Sequence, residues 1–192
     1  MAEVKLDSVL TNDDKIILEK PISLEECKIA VLAMGKDRTP GCDGLPAEFY
    51  SEFWDVIGQT VFNSINEGLE TCKLSESQNL AILRLLYKKG EHSCLDNWRP
   101  ISLLNTDYKI LASVMARRLQ PILGRIINKD QTAYIKNRFI GENVRLIYDV
   151  ISYTDMENIP GAISFLDFCE AFDSVEWNFS FKVMRKFEFG RL

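Results

Sequence analysis

Two carboxylates, Asp167 and Asp173, lie six positions apart in the segment SFLDFCEAFDSVEW, residues 164–177. The apolar run before Asp167 is strand-like, and a strand period of two places Asp167 on the same face as Ile163 and Phe165. An ionised carboxylate in apolar surroundings is costly unless it is neutral, paired or bound to a metal. Mg²⁺ takes carboxylate oxygens together with substrate phosphates. Two interpretations therefore stay open: a metal ligand, or a strand-end aspartate that caps the following turn, which the spacing alone favours.

Three cations flank a predicted β-hairpin. The apolar run LAILRLLY, residues 80–87, predicts one strand, and RPISLLN, residues 99–105, predicts the returning strand. Lys88 and Lys89 follow the first strand and Arg99 begins the second, so they are expected to converge at one end of the hairpin. Such a cluster can bind a triphosphate or a phosphate backbone, with Arg giving a bidentate contact. The alternative is a solvated hairpin tip.

More candidate phosphate ligands follow the hairpin. Arginines on a predicted helix of residues 107–124 can track phosphates or simply increase solubility. In QTAYIKNR, residues 131–138, an aromatic ring alternates with cations, a mixture that suits single-stranded nucleic acid, although Tyr134 alone is more often a packing residue. These candidate nucleic-acid ligands are Arg117, Arg118, Gln131, Tyr134, Lys136 and Arg138.

The charge is unevenly distributed. Over all 192 residues the net charge is −5, which argues against uniform binding to nucleic acid. Residues 84–145 nevertheless carry +7, between segments of −8 (residues 1–83) and −4 (residues 146–192). A basic segment between acidic flanks is expected where one surface meets phosphates, and equally where a charged face is solvated.

Other classes of site and compartment are disfavoured. The five cysteines are scattered without a C-x-x-C pair, so neither a disulfide framework nor a zinc site is expected. The GKDRTPGCDGLP loop, residues 35–46, lacks the G-K-[ST] ending of a phosphate-binding P-loop. No apolar run is long enough to span a membrane and no signal segment is visible, so an intracellular protein is expected.

The periodicity predicts a mostly helical chain with one hairpin and one late strand. Ser23 and Glu26 form a capping-box pattern at the start of a helix to about Met34. The remaining predicted elements are a helix that begins at Pro46 and continues, broken or bent, toward Leu69, the hairpin, a helix over 107–124, a helix over 142–153, a strand over 161–168 and a helix over 178–187.

Five segments in this order resemble the reverse transcriptase domain of non-LTR (LINE-type) retrotransposons. They are TPGCDGLPAEFYSEFW (39–54), LLYKKGE (85–91), NWRPISLLNTDYKILASVMARRL (97–119), DQTAYIKNRFIGENVRLIYDVI (130–151) and FLDFCEAFDSVEW (165–177). The resemblance implies an α+β fold of the right-hand polymerase type. A peripheral segment of residues 1–22 would precede mostly helical fingers with a β-hairpin over 23–155, and 156–192 would hold the first strand and helix of a truncated palm.

The resemblance also implies roles for individual residues. Asp167 matches the catalytic, metal-binding aspartate of the first palm motif, and the backbone carbonyl of Phe168 is implied as a further ligand. Phe172 matches the bulky residue that excludes a ribose 2′-hydroxyl, while Asp173 is implied to be structural. Arg99 matches the arginine that contacts the incoming triphosphate, with Lys88 or Lys89 beside it. The segment around Gln131 and Arg138 matches a motif near template and primer.

The implied activity is RNA-directed DNA polymerisation by two Mg²⁺ ions, with an RNA template, a DNA primer and deoxynucleoside triphosphates as partners and with action in the nucleus. The other metal-binding carboxylates belong to a Y/F-x-D-D turn, which is absent from this sequence, because its one D-D pair is Asp13–Asp14. The sequence therefore predicts a fragment that is inactive without a further palm and thumb.

Several positions depart from the family's pattern: Cys42, Ala133, Cys169, Glu170 and Glu188. They look like drift in a copy that is no longer held to that pattern. The alternatives are a non-catalytic nucleic-acid-binding module derived from a reverse transcriptase, and a domesticated or intron-associated relative.

Overall fold

The computed structural model describes residues 8–168 and 174–190, which form helices and one two-stranded sheet. In chain order the elements are α1 (Asn12–Glu19), α2 (Leu24–Leu32), α3 (Ala47–Glu52), α4 (Trp54–Thr71), β1 (Ala81–Tyr87), a 3-10 turn (Leu95–Asn97), β2 (Trp98–Leu104), α5 (Thr106–Ile126), α6 (Gly141–Met156) and α7 (Trp177–Lys186). This mixture confirms the α+β class. The chain divides into two compact units, one of Lys20–Arg117 and one of the residues on either side of it.

The unit Lys20–Arg117 begins with the predicted capping box. The Ser23 hydroxyl accepts from the Glu26 backbone N–H at 3.3 Å, and the Glu26 carboxylate accepts from the Ser23 N–H at 2.9 Å. Two of the N–H groups that a helix start leaves without partners are thereby satisfied. Pro46 is the N-cap of α3 and not its first residue. The predicted helix is broken, as expected, but the sequence did not predict the place of the break, which is Phe53, between α3 and α4.

One apolar core supports this unit. Its fully buried members come from α2, α4 and α5, because each of these helices repeats apolar residues at three- and four-residue steps. They include Cys27, Ala30, Ile65, Ile110 and Val114.

The hairpin of β1 and β2 forms as predicted. The strands are antiparallel, with Ala81 opposite Leu104, Leu86 opposite Arg99 and Tyr87 opposite Trp98. Pro100 lies opposite Leu85 near the start of β2, and its missing N–H is tolerated because both strands are edge strands of a two-stranded sheet.

The second unit contains α1, the part of α5 from Arg118 onward, α6 and α7. A small apolar cluster of Leu10, Ile122 and Ile126 is extended by Phe187 and Phe189. The Leu10 backbone N–H donates to the Phe187 carbonyl oxygen at 3.1 Å, so the segments at the two ends of the described chain meet here.

The predicted strand over residues 161–168 is wrong, because this segment pairs with no strand among the described residues. A strand must satisfy its backbone N–H and C=O groups on a neighbouring strand, and among the described residues only β1 and β2 pair. No helix of the described chain combines the length and the apolar character that crossing a membrane requires.

Candidate nucleotide- and nucleic-acid-binding site

The hairpin brings cations to one face of its two strands. Alternate residues of a strand share a face, and the register pairs Arg84 with Ile101 and Leu86 with Arg99. Arg84, Lys88 and Arg99 therefore lie on the same face, while Lys89 lies in the connection. All four cations are exposed, and none forms an ion pair within residues 8–168 and 174–190. The sequence analysis did not include Arg84 among the candidate phosphate ligands. Its position two residues before Leu86 and four before Lys88 was the signal that places it on this face.

Aromatic rings and hydrogen bonds order the end of the hairpin. The His92 ring stacks on Tyr87 with centroids 4.0 Å apart, and the Trp98 indole N–H donates to the His92 carbonyl at 3.0 Å. The Lys88 backbone N–H donates to the Asn97 carbonyl at 2.7 Å, which extends the strand pairing by one step. The connection is therefore a shaped turn, and the backbone that carries Lys88 has a defined direction.

A buried amide anchors the base of the hairpin. Asn105 follows β2 and is fully buried. Its Nδ2 donates to the backbone carbonyl and the hydroxyl of Ser77, at 2.9 and 3.0 Å, and its Oδ1 accepts from the Asp43 N–H at 3.3 Å. The next residue, Thr106, donates its hydroxyl hydrogen to the Leu45 carbonyl at 2.8 Å. These bonds join the TPGCDGLP loop, the turn before β1 and the start of α5.

Two ionisable groups near this loop have shifted pKa values. Burial, followed by the charges of Asp107 and Asp43, raises the pKa of Tyr50 to about 12. A hydrogen bond from the Asp37 backbone N–H lowers the pKa of the Glu48 carboxyl. Neither shift produces a group that titrates near neutral pH, so both fit structural roles.

The arginines of α5 differ in their surroundings. Arg117 is exposed, whereas Arg118 is only 8% exposed and donates to the Leu18 carbonyl at 3.4 Å. Arg125 pairs with Asp14, which is 3% exposed and forms a Thr-x-x-Asp cap with Thr11 at the start of α1. Arg125 is exposed as well, so among the described residues Arg117 is the one of the three arginines that is both exposed and without an acidic partner.

In the loop of residues 131–138, three of the predicted nucleic-acid ligands are exposed to solvent and the fourth binds backbone carbonyl groups of the protein itself. Tyr134 is 89% exposed with a left-handed backbone (φ 63°), and Gln131 and Lys136 are also exposed. Arg138 donates instead to four backbone carbonyls around the end of α5. Its Nη1 reaches Asn128 (2.5 Å) and Gln131 (2.7 Å), and its Nη2 reaches Gly124 (3.0 Å) and Ile127 (2.8 Å).

Asp167 and Phe168 are exposed at the end of the described segment 8–168. Phe172, Asp173, Cys169 and Glu170 lie outside the described residues. Carboxylate and carbonyl oxygens are ligands of the type that Mg²⁺ takes, but no group of three or more His, Cys, Asp or Glu side chains able to hold a metal exists in the described chain. One carboxylate does not form a metal centre by itself. The assignments of all these site residues remain predictions.

Comparisons with known proteins identify the family. Residues 86–192 match the family described as reverse transcriptase (RNA-dependent DNA polymerase). The chain is 36% identical over 182 residues, 95% of its length, to the transposon TX1 uncharacterized 149 kDa protein of Xenopus laevis. It is 25% identical over 158 residues, 81% of its length, to the retrovirus-related Pol polyprotein from type-1 retrotransposable element R1 of Bradysia coprophila.

The chain spans 14% and 15% of the length of these two relatives. The family match covers more than half of the chain, and it includes β2, α5 and the segment with Asp167. The chain therefore belongs to the reverse transcriptase (RNA-dependent DNA polymerase) family, as a domain of the non-LTR, LINE-type retrotransposon kind.

Proposed function

We propose that this chain is the part of a LINE-type RNA-directed DNA polymerase that holds the incoming deoxynucleoside triphosphate and the template–primer. Residues 23–155 act as fingers and residues 156–192 contribute to a palm. Asp167 supplies one carboxylate of the metal site, since the family generally uses divalent metal ions. Action in the nucleus is part of the same proposal.

The observation that carries the proposal is the basic face of the hairpin. Arg84, Lys88 and Arg99 share this face without acidic partners among the described residues. A triphosphate satisfies several cations at once, and the guanidinium of Arg99 provides two parallel N–H donors for phosphate oxygens. The stacked rings of Tyr87 and His92 support the turn that positions Lys88.

Crosslinking of radiolabelled dTTP to the full chain, in the presence of an RNA template and a DNA primer, tests this. Arg99→Gln is expected to lower the crosslinked fraction about tenfold, because it removes a charge-assisted bidentate contact. Lys73→Gln is the matched control, since it removes the same charge from an exposed position after α4 in the same unit. Equal crosslinking of wild type and Arg99→Gln would refute the assignment.

A polypeptide of residues 1–192 contains no Y/F-x-D-D motif. We propose that this polypeptide does not extend a primer by itself, since Asp167 is one carboxylate of a set. Incorporation of deoxynucleotides by the purified polypeptide with Mg²⁺ would overturn that part of the proposal.

A second candidate is a nucleic-acid-binding module without catalysis. It is favoured by the +7 charge of residues 84–145 and by the exposure of Tyr134 and Lys136. Binding of single-stranded RNA that weakens steeply with salt, without any crosslinking of dTTP, would favour this candidate over the polymerase part.

A further inference from the structure

A groove of about 480 Å³ lies in the unit Lys20–Arg117, between the segment that leads into α2 and one face of α4. Pro21 and Ile22 line it on the side of that segment. The residues that line it on the side of α4 recur at three- and four-residue steps and so share one face of the helix. They are Phe62, Asn63, Asn66, Glu67 and Glu70.

The floor of the groove is apolar. Ile22 is only 4% exposed, and Phe62 is half-buried and packs against the core of this unit. The position of the floor is therefore fixed by core packing. A lysine or arginine side chain can lay its methylene stem on such a surface while its charged end remains at the rim.

The rim of the groove is acidic, and no Lys or Arg belongs to the lining residues. Glu67 and Glu70 are exposed, and neither carboxylate has an ion pair or a hydrogen bond within the described part of the chain. Lys20, which is close in sequence, is outside the lining. The groove belongs to the segment 1–83 with its net charge of −8, so the field around it also favours a cationic partner.

Two asparagines of the groove offer hydrogen-bonding groups that match a peptide backbone. Asn63 Oδ1 accepts from Gln59 Nε2 at 2.8 Å, so the Asn63 Nδ2 donors remain without a partner among the described residues. Asn66 Nδ2 donates to the Phe62 carbonyl at 3.2 Å, which leaves Asn66 Oδ1 as an acceptor. A donor and an acceptor three residues apart on one helix face can bind the C=O and N–H groups of a peptide. A simple amine has no carbonyl group to use the donor.

We infer that this groove docks an extended segment of a partner protein that carries a lysine or an arginine. The side-chain stem lies on Phe62, and the cation pairs with Glu67 or Glu70. The backbone of the segment forms hydrogen bonds with Asn63 and Asn66. The lining shares no residue with the basic face of the hairpin, so the inference does not depend on polymerase activity.

Titration of the full chain with three probes tests the inference, with the side-chain amide NMR signals of Asn63 and Asn66 as reporters. The first probe is an acetylated and amidated pentapeptide with a central lysine between glycines. The second is the same peptide with its lysine acetylated, and the third is butylamine, which reproduces the lysine stem and charge without peptide groups. We expect the lysine peptide to shift both reporters. The acetyl-lysine peptide should bind about threefold to fivefold more weakly because it has lost the charge.

Butylamine is expected to bind about threefold or more weakly than the lysine peptide, because it cannot form the backbone hydrogen bonds. Equal binding of the two peptides would refute the ion pair with the rim. Butylamine that binds as tightly as the lysine peptide would refute the docking of a peptide segment.

Variants separate this groove from general charge. Glu67→Gln and Glu70→Gln are each expected to weaken binding of the lysine peptide about twofold to fivefold. Asn66→Ala, followed at Asn63, should weaken it about threefold through the lost acceptor, while alanine keeps the helix intact. Glu52→Gln is the matched control and should leave binding unchanged. It removes the same charge from an exposed position just before α4, about 20 Å of helix rise from Glu67 and beyond the screening length at physiological salt.

The inference is wrong if the lysine peptide shifts neither reporter. It is also wrong if Glu52→Gln weakens binding as much as Glu67→Gln does, since the peptide would then respond to the overall charge of the chain and not to the groove.

Discussion

Gly41 lies directly against Asn105, so close that a Cβ on Gly41 would be 2.5 Å from the Asn105 backbone nitrogen and 2.7 Å from its Cα. Real Cβ atoms do not approach backbone atoms to this distance, and Asn105 cannot retreat because its amide bonds Ser77 and Asp43. A glycine is therefore required at position 41 of the TPGCDGLP loop, because this position contacts Asn105 at the base of the hairpin.

Gly41→Ala is expected to lower the free energy of unfolding by about 1–3 kcal/mol, because it overpacks a buried backbone contact. Gly124→Ala is the matched control. Gly124 is in α5 with nothing within 4 Å of an added Cβ, so alanine there is expected to stabilise by about 0.5–1 kcal/mol. Urea unfolding of both variants measures the difference, and similar effects from the two substitutions would contradict the contact.

Substitutions of Arg138 and Lys136 are expected to have different effects, the first on the stability of the fold and the second on RNA binding. Arg138→Ala removes four hydrogen bonds to carbonyls around the end of α5 and is expected to cost about 1–3 kcal/mol of stability. Lys136→Ala removes an exposed cation and is expected to leave the melting temperature unchanged but weaken binding to single-stranded RNA. Thermal melts and titrations at two salt concentrations test both. An unchanged melting temperature for Arg138→Ala would show that these contacts do not stabilise the fold.

The two lysines of the hairpin are expected to differ. Lys88 shares the face of Arg99, whereas Lys89 lies in the connection. Lys88→Gln is expected to reduce dTTP crosslinking more than Lys89→Gln, since only the first lysine points to the same side as Arg99. The same crosslinking assay measures both variants, and a larger loss for Lys89→Gln would reject the register-based assignment.

Asp14 is expected to contribute stability that disappears in acid. Hydrogen bonds from Thr11, first its backbone N–H, together with the ion pair with Arg125, lower the pKa of Asp14 below its ordinary 3.8. A group with a lowered folded-state pKa stabilises fully above its unfolded pKa and loses that contribution as pH falls through its folded pKa. Asp14→Asn should therefore be less stable than wild type at neutral pH, and the difference should shrink below pH 3.8. A difference that stays constant across this range would show that charge is not the cause.

Tyr50 is expected to contribute at the opposite end of the pH scale. Its pKa is raised to about 12, so the folded chain keeps the phenol proton while the unfolded chain loses it near pH 10. The stabilising effect is complete below pH 10 and is lost as the pH rises through 12. Between pH 10 and 12 the free energy of unfolding of Tyr50→Phe should therefore fall by about 1–2 kcal/mol less than that of the wild type. A parallel fall in both proteins would contradict the shift.

The local patterns of the sequence were sufficient for most elements. The Ser23–Glu26 capping box and the helical periods of α5 depend on residues three or four positions apart, and each appears in the structure. The strand over 161–168 did not, because a strand depends on a partner that its own residues do not encode. The roles of Asp167 and Phe172 rest on resemblance, since Phe172 lies outside the described residues and Asp167 is exposed.

The sequence by itself determined the family, the order of the elements and the types of residues that can bind phosphate. The tertiary structure decided how those residues are used. It joined Asp14 to Arg125 across 111 positions and Asp43 to Asn105 across 62, and it directed Arg138 to backbone carbonyls. It also placed Arg84, Lys88 and Arg99 on one face. Hydrogen bonds and ion pairs act over a few ångströms in space, so contacts between distant positions follow from the packing of helices and strands and leave no periodic pattern in the sequence.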